Sequence, residues 1–207
     1  MKYDAVVVAS GKGTRMRLNF NKVFLTIGNK TILERACLPF LEDKDCQRVV
    51  VVTQKENFEL VVKNEKILLA EGGAERKDSV CNGLALCKSR FVLIHDGARP
   101  FLENEDLEKL KNELKTCDAA ILARRSTETV KRVVNGVITE TLDREQLMFA
   151  QTPQGFRRKL LKEAYASLGE RQNYTDDASV MEAYGQEVRV VTGSPRNRKI
   201  TYIEDLP

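Results

Sequence analysis

Short β-branched runs alternate with helical segments through the first 125 residues, and this rhythm limits the possible fold more than any other feature. Strands are expected over residues 4–9, 48–53, 66–70, 91–95 and 119–123, with helices near 32–41, 56–64, 77–87 and 105–115. Thr31, with Glu34 three residues on, forms a capping box for the first helix. Asn104 suits the cap of the fourth, which has acids in its first turn and lysines later, as the helix dipole favours. Alternation at this spacing means βαβ units. The fold class is therefore α/β, a Rossmann-like, doubly wound, mainly parallel sheet with right-handed crossovers. Ligands of such a sheet sit at the carboxyl ends of its strands.

The rhythm changes after Arg124. Residues 129–134, then Asn135-Gly136, then 137–142 read as a β-hairpin with a two-residue turn. A lone hairpin needs a third strand or a packing partner in water, so this one leans on the domain or on a second subunit. A helix is expected from about 157 to 168, and another after Thr175 as its cap. A strand over 187–192 and a last short strand including 199–202 follow. At 207 residues the chain reads as one domain, 1–207, with the hairpin segment at 125–150.

The first expected strand, Ala5-Val6-Val7-Val8-Ala9, breaks directly into Ser10-Gly11-Lys12-Gly13-Thr14-Arg15-Met16, and Lys22 follows. Glycines let backbone N–H groups approach an anion, and cations neutralise it, so this loop suits a polyphosphate. A P-loop needs Lys-Ser/Thr directly after a second glycine spaced five from the first, and that order is missing. The dinucleotide fingerprint needs a third small residue where Met16 stands. An ordinary glycine-rich β–α turn would require neither Arg15 nor Lys22.

Four further clusters fall at or near strand ends. Gly72-Gly73-Ala74-Glu75-Arg76-Lys77-Asp78-Ser79 opens a helix, with glycines that admit a base or ribose and a hydroxyl on Ser79. His95-Asp96-Gly97-Ala98-Arg99 ends the fourth strand. There Asp96 can bind a metal or accept from a hydroxyl, and Arg99 can pair with Asp96 or with a phosphate. Leu142-Asp143-Arg144 closes the hairpin, ahead of Gln151-Thr152-Pro153-Gln154-Gly155-Phe156. Tyr174-Thr175-Asp176-Asp177-Ala178-Ser179 caps a helix, and Lys199 lies on the last expected strand. His95 reads as a packed histidine rather than a ligand, and Asp176-Asp177 as acids complementing a helix N-terminus rather than a metal pair. Arg124-Arg125 reads as a surface or interface pair, and the basic run from Arg196 as a solvated loop.

Composition narrows the partners. The formal charge of +4, from 34 Lys and Arg against 30 Asp and Glu, is too small to argue for nucleic acid without a basic stripe. The five cysteines form no C-x-x-C pair and no zinc spacing, and suit buried thiols in a reducing cytosol. No apolar run approaches transmembrane length and Lys2-Tyr3-Asp4 opens no signal peptide, so a cytoplasmic location with no membrane partner is expected.

The glycine loop with Arg15 and Lys22 resembles the signature of nucleotidyltransferases that activate sugar and polyol phosphates. With the other clusters, the chain closely resembles one family over essentially its whole length, the 2-C-methyl-D-erythritol 4-phosphate cytidylyltransferases of non-mevalonate isoprenoid synthesis. The resemblance implies transfer of the cytidylyl group of CTP to 2-C-methyl-D-erythritol 4-phosphate, with release of pyrophosphate. It implies that Arg15 and Lys22 stabilise the transition state and that Arg144 and Lys199 hold the incoming phosphate. Ala9, Ser10, Gly11 and Gly13, with Gly73 and Ser79, would line the nucleotide site. Asp96, Arg99, Thr129, Thr152 and Thr175 would sit beside the polyol. The hairpin would be an arm crossing to a second subunit of a homodimer, so Thr129 and Arg144 would serve the neighbour's site.

Such chemistry fits a chain with one histidine and no evident nucleophilic triad. A phosphate monoester with a second pKa of about 6 is mostly dianionic at neutral pH and needs no general base. The obstacle is repulsion between anions, which fixed cations and Mg²⁺ relieve. Mg²⁺ is expected mostly on the triphosphate, with Asp96 as a candidate protein ligand. Members of the family usually carry Pro where Asn21 stands, which removes a φ restraint here. Ser10 replaces a commoner Ala, and the chain stops at Pro207 where relatives usually continue into another helix. The nearest rival is a ribitol-5-phosphate cytidylyltransferase. A glycosyltransferase would need an Asp-x-Asp motif that Asp96-Gly97-Ala98 does not supply. A non-catalytic nucleotide-binding module would not require Arg15, Lys22, Arg144 and Lys199 together.

Overall fold

In the computed structural model, residues 1–11, 20–167 and 174–207 are described. The apolar runs form strands β1 (Tyr3–Val8), β4 (Cys46–Thr53), β5 (Ile67–Glu71), β6 (Phe91–Asp96) and β7 (Ala119–Arg125). With β10 (Met148–Arg157) and β11 (Arg189–Thr192) they make a seven-stranded sheet in the order β11-β7-β10-β6-β1-β4-β5. All neighbours are parallel except β10, which runs antiparallel to both β6 and β7. Helices α1 (Ile32–Glu42), α2 (Arg76–Leu86), α3 (Asn104–Glu113), α4 (Arg158–Ser167) and α5 (Asp177–Ala183) cover the two faces. A two-residue pair, β2 (Thr26–Ile27) with β3 (Lys30–Thr31), leads into α1.

Side chains of a strand alternate between faces, and β1 feeds two cores in this way. Tyr3, Ala5 and Val7 pack with Leu33, Cys37 and Phe40 of α1 and with Leu107 and Leu110 of α3. Val6 packs on the other face with Val80 and Leu84 of α2, Leu161 of α4 and Val180 of α5. Burial on both faces is what a continuous Val run in a parallel sheet requires.

The capping box of α1 forms as expected, with Thr31 Oγ1 accepting from the Glu34 amide at 3.0 Å and Glu34 accepting from the Thr31 amide at 2.6 Å. Several expectations are corrected. Residues 56–64 are not an α-helix; a 3-10 stretch over Lys55–Leu60 stands there and buries none of its residues. Without an apolar face to pack, so short a segment has nothing to stabilise an α-helix. Asn104 is the first residue of α3 rather than its cap, a place taken by Glu103. Thr175 does not cap α5. Asp176 does, accepting from the Ser179 amide at 3.0 Å. Residues 199–202 form no strand; the Ile200 amide bonds Ala98 O at 2.8 Å without extending into a ladder. Among the cysteines, Cys81 is exposed rather than buried.

Besides the short β2–β3 pair, the strand missed by sequence reasoning is β10. Pro153 argues against a central strand because it cannot donate to the ladder. The structure places it where the register with β7 shifts, between Ala150 and Gln154. The hairpin, in contrast, forms as read, from β8 (Lys131–Val134) and β9 (Val137–Thr141). Asn135 and Gly136 have φ of 49° and 81°, the left-handed pair of a type I′ turn. Among the described residues its strands pair only with each other, and Val133, Val134, Val137 and Ile138 are each more than half exposed. The body of the chain does not cover them.

Candidate active site

The carboxyl ends of β1, β4 and β6 open onto a cavity of about 520 Å³, within the range typical of ligand sites. Ala9, Ser10 and Gly11 line it, as do Gly73 to Arg76. Lys22, Asp96 and Lys199 also line it, alongside Asn21 and Gln54.

The two loops are laced together beneath the cavity. Ser10 Oγ and Ser79 Oγ lie 2.8 Å apart, and Ser79 Oγ accepts from the Gly73 amide at 3.0 Å. Gln54 Nε2 donates to Ser10 O at 3.3 Å. The approach is close enough that a Cβ on Gly72 would fall 2.4 Å from that of Ser10, so no side chain is tolerated there. Ser79 is buried and braces these loops from below.

Asn21 does not leave the loop unrestrained. Its φ of −72° is one that proline also adopts. Its side chain accepts from the Val23 amide at 3.2 Å and donates to Ala9 O. Hydrogen bonds thus tie the end of β1 to the 3-10 turn Lys22–Phe24, which carries Lys22. Lys22 itself is buried, and its Nζ donates to Thr201 O at 3.4 Å.

Asp96 is the electrostatic centre of the cavity lining. Lys199 Nζ lies 2.9 Å from its Oδ2, Arg99 Nε 3.4 Å from the same oxygen, and Arg76 Nη2 3.9 Å from Oδ1. Burial pushes this carboxyl up, but Lys199, Arg76 and Arg99 outweigh it and hold the group well below the usual carboxylate range. Arg99 also donates to Asn197 O at 2.8 Å. That bond ties the strand-end turn to the C-terminal segment carrying Lys199.

Thr152 faces inward rather than into the cavity. It is 4% exposed, and its Oγ1 accepts from the Asp96 amide at 2.9 Å and lies 3.0 Å from His95 Nδ1. His95 Nε2 is 3.1 Å from Arg99 O, an acceptor, so Nε2 carries the proton and Nδ1 accepts from the Thr152 hydroxyl. Burial drives the imidazole pKa down to about 4, so the ring is neutral at pH 7 and the arrangement is fixed. His95 is the packed, hydrogen-bonded histidine expected. Thr152→Val, which removes both bonds, is expected to lower unfolding free energy by roughly 1–3 kcal/mol. Thr152→Ser is expected to restore most of it, as urea titration of the two variants will show.

The structure therefore brings together Ala9, Ser10, Gly11, Lys22, Gly73, Asp96 and Lys199 at one cavity. Ser79, Thr152 and Arg99 lie behind its walls as braces. Thr129 and Arg144 are exposed on the arm, and Thr175 is exposed ahead of α5; none of the three lines the cavity. Arg15 and Gly13 fall outside the described residues. Sequence reasoning gave no role to Arg76, Gln54 or Asn21. A signal for Arg76 existed, since a cation in the first turn of a helix opposes the dipole and calls for an acidic partner. That partner is Asp177, with Arg76 Nη2 donating to its Oδ2 at 2.6 Å. Among the described residues no group of three or more His, Cys, Asp or Glu side chains is placed to hold a metal ion.

Residues 3–207 match the family described as 2-C-methyl-D-erythritol 4-phosphate cytidylyltransferase. The chain is 40% identical over 216 residues to the protein of that name from Geobacillus kaustophilus, covering 100% of this chain and 94% of the relative. It is 41% identical over 217 residues to that from Halalkalibacterium halodurans, with the same coverage of 100% and 94%. Among solved structures it is similar to the 4-diphosphocytidyl-2C-methyl-D-erythritol synthase of Anaerococcus prevotii, with a TM-score of 0.88, 29% identity and coverage of 99% and 94%. It is also similar to the 2-C-methyl-D-erythritol 4-phosphate cytidylyltransferase of Thermus thermophilus, with a TM-score of 0.83, 28% identity and coverage of 100% and 96%.

Proposed function

The chain belongs to the 2-C-methyl-D-erythritol 4-phosphate cytidylyltransferase family of nucleotidyltransferase enzymes, and on that premise we propose how its strand-end cavity joins CTP to 2-C-methyl-D-erythritol 4-phosphate. A phosphate oxygen of the polyol phosphate attacks the α-phosphorus of CTP. The new P–O bond forms as the bond to the β-phosphate breaks, and pyrophosphate leaves. No proton has to be removed, because the attacking monoester is mostly dianionic at neutral pH. The observation that carries this reading is that Lys22, Lys199 and the Ala9-Ser10-Gly11 backbone line one cavity with Asp96.

Backbone donors of the glycine loop and of Gly73 suit the nucleotide. Lys22, with Arg15 on the undescribed part of that loop, suits the charge that grows on the equatorial oxygens of the α-phosphate. Lys199 suits the phosphate of the polyol, and Asp96 a hydroxyl of it. A divalent cation, which we infer to be Mg²⁺, supplies charge neutralisation on the triphosphate. The donor set fits that arrangement, because a lone carboxylate already facing three cations leaves the phosphates to hold the metal, with Asp96 offering at most one oxygen.

The chain acts as one domain, and its arm makes a homodimer. Exposed Val133, Val134, Val137 and Ile138 support this, because a monomer gains nothing by presenting them to water. Arg144 and Thr129 then reach the partner's cavity. Arg144→Ala and Lys22→Ala are each expected to be inactive, whereas an equal mixture, refolded together, is expected to recover roughly a quarter of wild-type turnover. In such mixed dimers one of the two sites has both residues intact. No recovery on mixing would assign Arg144 to its own subunit. Five free cysteines support a cytoplasmic location.

Pyrophosphate release with CTP and Mg²⁺ tests the reaction. It is expected with 2-C-methyl-D-erythritol 4-phosphate and not with ribitol 5-phosphate. The reverse preference would move the enzyme to a different polyol.

A further inference from the structure

Asp177, the first residue of α5, is fully buried. Its Oδ1 accepts from Tyr165 Oη at 2.5 Å and its Oδ2 from Arg76 Nη2 at 2.6 Å. Burying a carboxylate is costly, and an apolar pair of similar volume is often at least as stable as a buried ion pair. Stability alone therefore does not account for Asp177 and Arg76. Arg76 opens α2, where its charge opposes the helix dipole, so its partner must hold it there.

The pair is not closed on itself. The Nη2 that meets Asp177 also lies 3.9 Å from Asp96 Oδ1, and Arg76 forms part of the cavity wall. Lys199 and Arg99 both engage Asp96 through Oδ2. Among the described residues no hydrogen bond reaches Oδ1. It is the oxygen of Asp96 available to a substrate, and Arg76 is the group beside it.

We propose that Asp177 and Arg76 are positioning residues for Asp96, the buried carboxylate fixing the guanidinium so that Oδ1 is held to accept a hydroxyl of the polyol phosphate. This rests on the reading of Asp96 as the polyol contact. A chain of alternating charge runs from the interior at Asp177 through Arg76 to Asp96, and closes on Lys199 and Arg99. It joins the N-termini of α5 and α2 to the end of β6, three elements far apart in sequence. Tyr165, on α4, restrains the buried end.

The test is steady-state pyrophosphate release by the full-length enzyme, with each substrate varied in turn. Arg76→Ala, Arg76→Lys and Asp177→Asn are expected to raise the KM for 2-C-methyl-D-erythritol 4-phosphate roughly ten- to a hundredfold, the scale of one charged hydrogen bond. The KM for CTP is expected to stay at the wild-type value. Added guanidinium ion is expected to lower the polyol-phosphate KM of Arg76→Ala, while sodium chloride at equal concentration does not; a merely structural role would give no such rescue. Arg76→Lys keeps a cation beside the buried Asp177, so it folds even where Arg76→Ala or Asp177→Asn does not. An unchanged polyol-phosphate KM in both Arg76 variants overturns the proposal. A raised KM for CTP instead also overturns it and assigns Arg76 to the nucleotide phosphates. A wild-type enzyme that releases no pyrophosphate with CTP and 2-C-methyl-D-erythritol 4-phosphate overturns the reading beneath the proposal, and the proposal with it.

Discussion

Lys22→Ala is expected to lower turnover about a hundredfold or more, with CTP still bound, the scale for losing one donor aimed at transition-state charge. Lys22 is 8% exposed, so its ammonium acts in a poorly hydrated environment where a charge is felt more strongly than in water. The short turn that carries it is pinned to the end of β1 through Asn21, so little reorganisation is needed when charge develops. Loss of kcat with little change in the KM for CTP, measured by pyrophosphate release, is the signature of an interaction made mainly in the transition state. A variant with near-normal kcat would remove Lys22 from that role.

The largest effect on stability is expected at the opposite end of the sheet. Lys111 of α3 is 3% exposed and meets Asp43 Oδ2 at 2.8 Å, Asp45 Oδ2 at 2.9 Å and Glu108 Oε1 at 2.7 Å. Tyr3 Oη donates to the same Asp43 oxygen at 2.9 Å. Lys111→Met would leave the buried Asp43 without its cation and Asp45 with the N-terminal ammonium, 3.3 Å away, at a cost of about 3–5 kcal/mol. For a chain of this length that lowers Tm by roughly 6–20 °C. Calorimetry at pH 7 measures it, and a fall of only one or two degrees would show that water replaces the lysine.

The same cluster contributes to the dependence of stability on acid pH. Against the cost of burial, bonds from Lys111, the Asp45 amide and Tyr3 hold the Asp43 carboxyl below its ordinary value. Lys111 does the same for Asp45. Carboxyls lowered in the folded state contribute stability above their unfolded pKa of about 4 and lose it as pH falls through the folded values. The wild type is therefore expected to lose this contribution below about pH 4. The gap between wild type and Lys111→Met should narrow there, which urea midpoints across an acid series will record.

Much of the molecule was legible in the sequence because local chemistry dictated it. The Val runs of β1 and β4, the Thr31–Glu34 box and the Asn135-Gly136 turn each carry their own instructions, and each formed where expected. The strand β10 was not legible. Its place is set by the edges of β6 and β7, and Pro153 is tolerated only through a register shift that those edges create. The site divided in the same way. Residues on the glycine loop and at strand tips reached the cavity because a doubly wound sheet delivers those positions to one end. Thr152 and Ser79 carry the same hydroxyl as a substrate contact, and only the packing shows that each faces inward. Arg76 and Asp177 are about a hundred residues apart, a pairing that local sequence does not encode.

The antiparallel insertion of β10 also fixes the order in which the sheet can be assembled. In the finished sheet β10 lies between β6 and β7, so the native partner of that β6 edge is absent until residues 148–157 have been made. β7, the arm and β10 are consecutive, and Met148 pairs with Arg125 at their foot, so they form one long hairpin whose second strand lies against β6. A nascent chain stalled before that strand docks presents an unpaired strand edge whose first four residues, Phe91 to Ile94, are all apolar, the kind of surface on which chains associate edge to edge. The strand that completes the sheet is thus also the one that ends the chain's most vulnerable interval.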